Sequence, residues 1–220
     1  MHQLINNLNI IKTQILEVIK KSNIQNKSPT IIAISKTFPI EKIQPLIEFG
    51  HTHFGENKVQ EAALKWSNIK SQNNNIKLHL VGKLQTNKTK QAIKLFDYIH
   101  SLDSIKLAKE ISKEQKKINK KPKIFIQINI GNEQQKSGIS KYEVTDFYNT
   151  CKKLDLDIIG LMCIPPINDD SNLYFSEMKI LNEKLHLAEL SMGMSDDYLV
   201  AIKNSSTFIR LGTKIFGTRT

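Results

Sequence analysis

The stretch IIAISKTFP (residues 31–39) places a lysine directly behind a run of branched aliphatic residues. Ile31, Ile32, Ala33 and Ile34 show no polar alternation and read as a short, fully buried strand, which Thr37–Pro39 terminates. Lys36 therefore sits where a strand leaves the core. Buried lysines are rare because desolvation penalises the ammonium group. Either this side chain snorkels to water along its own stem, or its amine is placed there for chemistry.

Working outward from that strand, the chain alternates strand-like and helix-like segments. Residues 4–19 carry Leu4, Leu8, Ile11, Ile15 and Val18 at helical spacing, which makes an amphipathic helix rather than a signal peptide. Strands are expected at 31–35, 52–55, 77–82, 98–101, 123–129, 157–162, 189–193 and 207–211. Helices are expected at 40–49, 57–70, 86–95, 104–119, 140–153, 171–188 and 196–203. Each connection is long enough for a right-handed crossover, so the strands should run parallel. Eight strands with intervening helices fit one closed (β/α)8 TIM-type barrel over residues 1–220, with an extra N-terminal helix, better than an open sheet.

That fold locates the site. Active sites of β/α barrels lie on the loops that follow the C-terminal ends of the strands. The residues there are Lys36, Gly55-Glu56-Asn57, Gly82-Lys83-Leu84-Gln85, Ser101-Leu102-Asp103, Asn129-Ile130-Gly131, Met162 to Pro166, Gly193-Met194-Ser195 and Gly212-Thr213. They are polar and glycine-containing, whereas the strand bodies are apolar. A lysine at this rim, partly desolvated by Ile and Phe neighbours, is a competent amine nucleophile whose natural electrophile is an aldehyde.

Composition narrows the function classes. Hydrophobic content of 40% suits a globular protein, and no stretch reads as a membrane span. Cys151 and Cys163 have neither metal-site spacing nor a disulfide framework, which points to a reducing, cytoplasmic setting. The formal net charge of +11 raises a nucleic-acid hypothesis. Yet 30 of the 32 basic residues are lysines scattered along the chain, and Asn and Ile are abundant too. Codon bias in an AT-rich genome produces that pattern without a partner, so no nucleic-acid partner is expected.

The two arginines are Arg210 and Arg219, and Arg210 lies on the last strand. A guanidinium in so lysine-rich a chain implies a need for a permanently protonated, rigid donor fork; a structural salt bridge inside the barrel is the competing explanation. Ser195, ahead of Asp196 and Asp197, reads as the N-cap of a helix, and its hydroxyl and neighbouring amides can also meet an anion. Gly212 and Thr213 follow strand 8, where β/α barrels commonly bind phosphate. Asn57 is placed at the rim, with capping of the next helix, helped by Gln60, as its other role. An amine, a phosphate cradle and an arginine together describe a pyridoxal 5′-phosphate site.

The stretches AISKTFP, FGENKVQE, LHLVGKLQTNK, IHSLDS, QINIGNEQQKSGI, GLMCIPP, LSMGMSDD and IRLGTKIFGTR, in this order from residue 33 to 219, resemble the pyridoxal phosphate homeostasis protein family, also called proline synthase co-transcribed homologs. The resemblance implies a barrel like the N-terminal domain of alanine racemase, with Lys36 holding the cofactor as an aldimine. It implies phosphate contacts from Ser195 and the backbone of Gly212 and Thr213, Arg210 at the pyridine nitrogen, and Asn57 beside the ring. His79 and Met192 are implied as neighbours of these groups. Leu78 and Lys83 stand where an aromatic residue and a histidine are common, and Cys163 replaces a small residue.

The resemblance further implies a role in vitamin B6 homeostasis, holding the cofactor and passing it to apoenzymes, with little or no turnover; with no second domain expected, a monomer is favoured. An arginine beside the pyridine nitrogen points the same way, because two adjacent cations repel and the ring stays a poor electron sink. Racemases with this arrangement use a second acid/base from a further domain, and none is expected here. A monomeric pyridoxal-phosphate-dependent amino-acid racemase is the alternative, and a basic nucleic-acid-binding protein the weaker one.

Overall fold

The computed structural model describes residues 2–22, 28–167 and 169–218. Helix α1 (Gln3–Lys21) precedes eight strands: β1 (Thr30–Ile34), β2 (His53–Glu56), β3 (Lys77–Leu80), β4 (Tyr98–Leu102), β5 (Lys123–Ile128), β6 (Ile158–Cys163), β7 (Glu189–Ser191) and β8 (Phe208–Leu211). Between them lie α2 (Ile40–Glu48), α3 (Val59–Gln72), α4 (Thr89–Leu95, entered through a 3-10 turn at Thr86–Lys88), α5 (Ile105–Ile118), α6 (Val144–Lys153), α7 (Ser171–Lys184) and α8 (Tyr198–Lys203). A short α9 (Thr213–Phe216) follows β8. All strand pairs are parallel, and β8 pairs with β1, so the sheet is a closed barrel in sequence order.

The two faces of each strand do different work. Outward residues such as Ala33, Phe54, Leu78, Leu80, Ile99 and Ile126 join one apolar layer with the surrounding helices. Inward residues include Ile32, Ile34, Phe125, Met162 and Phe208, which form a smaller inner cluster. Polar side chains share that interior: His79, His100, Ser191 and Arg210 are buried. Such a group is tolerated inside a barrel only when its hydrogen bonds are met.

α1 buries Leu4, Leu8, Ile11 and Ile15, the stripe its spacing predicts, and packs on α8 and α9. Asn7 Nδ2 donates to Ile215 O at 2.9 Å, and the Tyr198 hydroxyl donates to Gln14 Oε1. The N-terminal helix thereby clamps the two elements that flank Ser195, Gly212 and Thr213.

Several helices begin later or end sooner than the periodicity suggests. α3 starts at Val59 rather than 57, since Lys58 is extended (φ −131°, ψ 125°). α6 starts at Val144 because residues 140–143 form a turn. α7 stops at Lys184, and His186 takes a left-handed φ of 53° to redirect the chain into β7. α8 begins at Tyr198, with Asp197 and not Ser195 next to its first turn.

Candidate active site at the barrel mouth

Lys36 leaves β1 through a sharp corner. Thr37 sits at φ 69°, a left-handed conformation that a β-branched residue adopts at a cost of about 1–3 kcal/mol. A buried carboxylate holds the corner in place. Glu56 Oε1 accepts from Ser35 Oγ at 2.8 Å, from Lys65 Nζ at 2.9 Å and from Trp66 Nε1 at 2.9 Å. Lys65 also donates to Ser35 O at 2.9 Å. Lys36 itself is half-buried and has no hydrogen bond or ion pair among the described residues.

The mouth is a cavity of about 440 Å³, within the size range of small-ligand sites. Lys36, Asn57, Ser195, Arg210, Gly212 and Thr213 all line it, with Ile34, Phe38, Val81, Ile164 and Met194 as its apolar wall. Phe38 is stacked on Phe216, ring centroids 4.8 Å apart, which fixes one side of that wall.

Arg210 forms the floor. It is 5% exposed, and its Nη1 donates to Ser191 O at 2.7 Å and Ser191 Oγ at 2.8 Å, while Nη2 donates to Cys163 O at 2.8 Å. Burial lowers its pKa from the ordinary arginine value, offset in part by Asp197, but arginine keeps its proton across the physiological range. No carboxylate lies within ion-pair distance among the described residues. The internal salt bridge considered from sequence is therefore not what holds it. A buried cation with no carboxylate in ion-pair contact calls for an electron-rich ligand.

The backbone after β8 is open in the same direction. Among the described residues the amides of Gly212 and Thr213 donate to no backbone carbonyl. Ser195 does not cap α8, which has no side-chain cap; Asp197 Oδ1 turns back and accepts from Met194 N at 2.6 Å. Ser195 Oγ instead accepts from Lys214 N at 3.4 Å, which brings the hydroxyl beside Gly212 and Thr213. Asn57 does not cap α3 either, since that helix has no side-chain cap and the Asn57 Oδ1 is buried without a partner among the described residues. A Cβ on Gly82 would come within 2.3 Å of Asn57 O, so a glycine there lets the β2 and β3 loops close together behind Asn57.

These features fit pyridoxal phosphate: an amine at the rim, an unspent amide and hydroxyl set, a permanent cation on the floor and an orphaned amide group beside it. Two residues fall elsewhere. Met192 is fully buried in the layer between barrel and helices and does not line the cavity; Met194 does. His79 lies inside the barrel below the cavity and reaches it only through His100, Ser191 and Arg210. Arg219, at the end of the IRLGTKIFGTR stretch, lies outside the described residues.

The sequence matches the alanine racemase N-terminal domain family over residues 9–220. It is 38% identical to the pyridoxal phosphate homeostasis protein of Haemophilus influenzae, over 97% of this chain and 94% of that one. The chain belongs to the pyridoxal phosphate homeostasis protein family. The Escherichia coli member is 31% identical over 100% of this chain and 98% of its own. PipY of Synechococcus elongatus, solved with PLP bound, superposes with a TM-score of 0.80 at 32% identity, covering 92% of this chain and all (100%) of that one. An alanine racemase of Clostridium difficile, 14% identical with a TM-score of 0.72 over 99% of this chain and 57% of that one, shares the fold.

Two residues of this family member's floor escaped sequence reasoning, Ser191 and His100. A signal for His100 was present: in "YIHSL" the period-two alternation that turns Ile99 outward turns His100 inward. Ser191 ends a strand of only three residues, too short to show alternation.

Proposed function

We propose that this protein binds pyridoxal 5′-phosphate at the barrel mouth and serves in intracellular vitamin B6 homeostasis, releasing the cofactor to apoenzymes with little or no turnover. The observation that carries this is the buried Arg210 guanidinium, unmatched by any carboxylate among the described residues, on the floor of a cavity whose rim presents Lys36. When bound, pyridoxal phosphate supplies an electrophilic aldehyde and a conjugated ring that can withdraw electrons. Lys36 would hold the group at its aldehyde carbon through the side-chain nitrogen, and the Glu56 network keeps that lysine's corner in register. Ser195, Gly212 and Thr213 would offer donors to the phosphate, and Asn57 would lie beside the ring.

Arg210 limits the chemistry. A fixed cation facing the ring nitrogen opposes its protonation, which removes the strongest electron-withdrawing form of the ring. The buried tyrosine nearest this region, Tyr198, is occupied by Gln14 on the outer face, so it supplies no base to the cavity. Absorbance titration with pyridoxal phosphate, followed by α-deuterium incorporation into L-alanine in heavy water, tests the proposal. A saturable imine band with negligible exchange is expected. Exchange at an ordinary enzymatic rate of roughly 1–10³ per second favours the racemase alternative.

A further inference from the structure

Five strands contribute to a polar chain inside the barrel. His53 Nδ1 lies 2.9 Å from His79 Nε2, His79 Nδ1 lies 2.9 Å from His100 Nε2, and His100 Nδ1 lies 2.8 Å from Ser191 Oγ. Ser191 Oγ then accepts from Arg210 Nη1 at 2.8 Å. His79, His100 and Ser191 are fully buried, and His53 is partly exposed at the base of the barrel. Stacking restrains the rings: His79 lies on Tyr98 (4.2 Å between centroids) and His100 on Phe125 (4.3 Å).

Each link holds one proton between two heavy atoms, and a neutral imidazole carries one N–H. The tautomers are therefore interlocked, and fixing one fixes all three. Ser191 sets the direction. Its oxygen already accepts from Arg210, and its hydroxyl hydrogen has His100 Nδ1 as its only acceptor among the described residues. Were His100 to donate instead, a buried hydroxyl hydrogen would be left unpaired, which disfavours that arrangement by a factor of roughly 5–150. With the serine donating, His100 Nε2–H donates to His79, His79 Nε2–H donates to His53, and His53 Nε2–H turns toward the solvent side of the barrel base.

The charges facing the chain agree with neutral rings. Lys77 and Asp97 face His53, Lys70 faces His79 and Arg210 faces His100; burial, reinforced by the cations, holds His79 and His100 unprotonated. Nor does the chain deliver protons to the cavity, because it ends on an arginine, which does not release one. What it transmits is orientation.

We propose that His53, His79 and His100 are positioning residues for Arg210, forming a one-directional hydrogen-bond chain, all in the Nε2–H form, that turns the Ser191 hydroxyl so that its lone pair receives Nη1. Nη1 then spends both hydrogens on Ser191 and Nη2 one on Cys163, leaving the second Nη2 hydrogen and the Nε–H for the cavity. The ligand side of this inference, a ring nitrogen accepting from those donors, rests on the pyridoxal phosphate reading above.

Long-range ¹H–¹⁵N correlation spectra of histidine-labelled, cofactor-free protein at neutral pH test the chain without any variant. All three histidines should be neutral with the proton on Nε2; an Nδ1–H form or a charged ring at any of them overturns the proposal. Ser191→Ala should release His100 and His79 from a single tautomer, shift the Arg210 Nε–H resonance and weaken pyridoxal phosphate binding roughly tenfold. His53→Leu removes the last acceptor but not the director, so His100 should keep its Nε2–H form. An unchanged Arg210 resonance in Ser191→Ala refutes the positioning role. Should wild-type protein show the predicted tautomers and Arg210 response yet take up no cofactor, the cofactor reading fails and the chain stands.

Discussion

Lowering the pH from 7.5 to 5.5 should remove a large part of this protein's stability, and the histidines set the amount. Burial depresses the pKa of His79 and His100 well below the ordinary histidine value of 6.5, and that of His51 to about 4. In the unfolded chain the same rings titrate near their ordinary value. Between the two pKa values the unfolded state binds more protons than the folded state, so stability falls as pH drops. It is fully present above about pH 6.5 and is lost progressively on acidification. One unit below the unfolded pKa, each ring that stays neutral in the fold costs about 1.4 kcal/mol. His79, His100 and His51 together give a loss on the order of 4 kcal/mol, against a typical total of about 5–15 kcal/mol. His53, whose pKa is lowered by burial and by Lys77, adds a smaller amount. Asp103 and Asp197 have carboxyl pKa values raised by burial and oppose the trend. Urea denaturation at pH 7.5, 6.5 and 5.5, with proton uptake on unfolding measured at pH 5.5, checks this. Close to three protons should be taken up. A flat stability profile, or uptake below one proton, would refute buried neutral histidines.

Three further outcomes follow from the mouth of the barrel. Ser195→Ala should weaken pyridoxal 5′-phosphate by about 1.5–3 kcal/mol while leaving pyridoxal unaffected, as read by parallel titrations; equal losses for both ligands would remove the phosphate cradle. Gly82→Ala drives a Cβ into Asn57 O and should cost about 1–3 kcal/mol in urea denaturation, with weaker cofactor binding as Asn57 moves. Glu56→Gln strips the negative charge from the Lys65 pair and should destabilise the fold by about 3–5 kcal/mol; a near-neutral effect would mean the corner of Lys36 is held by other contacts.

The barrel was legible because its strands are short apolar runs separated by helix-length segments, and that pattern admits few closed topologies. Lys36 was legible by position alone, as the first charged residue after the first strand. Arg210 stood out because the chain otherwise uses lysine. The capping roles weighed for Ser195 and Asn57 were not realised, for a shared reason. Each lies in a turn whose backbone delays the helix: Asp197 accepts the Met194 amide beside Ser195, so α8 starts only at Tyr198, and the extended Lys58 puts the start of α3 at Val59. Residue preference for a cap position does not fix at which residue the helical path begins. The histidine chain was hidden differently. His53, His79 and His100 are separated by 26 and 21 residues and become neighbours only when parallel strands align in register. Met192 lies one step beyond the inward-facing Ser191 and so turns to the outer layer, behind the cavity rather than in its lining.

Lys36 is the residue proposed to hold the cofactor at this cavity. Purified protein is saturated with pyridoxal 5′-phosphate, reduced with borohydride, digested and mapped by mass spectrometry. One pyridoxyl group per chain is expected, on the peptide containing Lys36, and none on a Lys36→Ala variant that retains its fold. Label spread over several surface lysines, or undiminished in the variant, would contradict it.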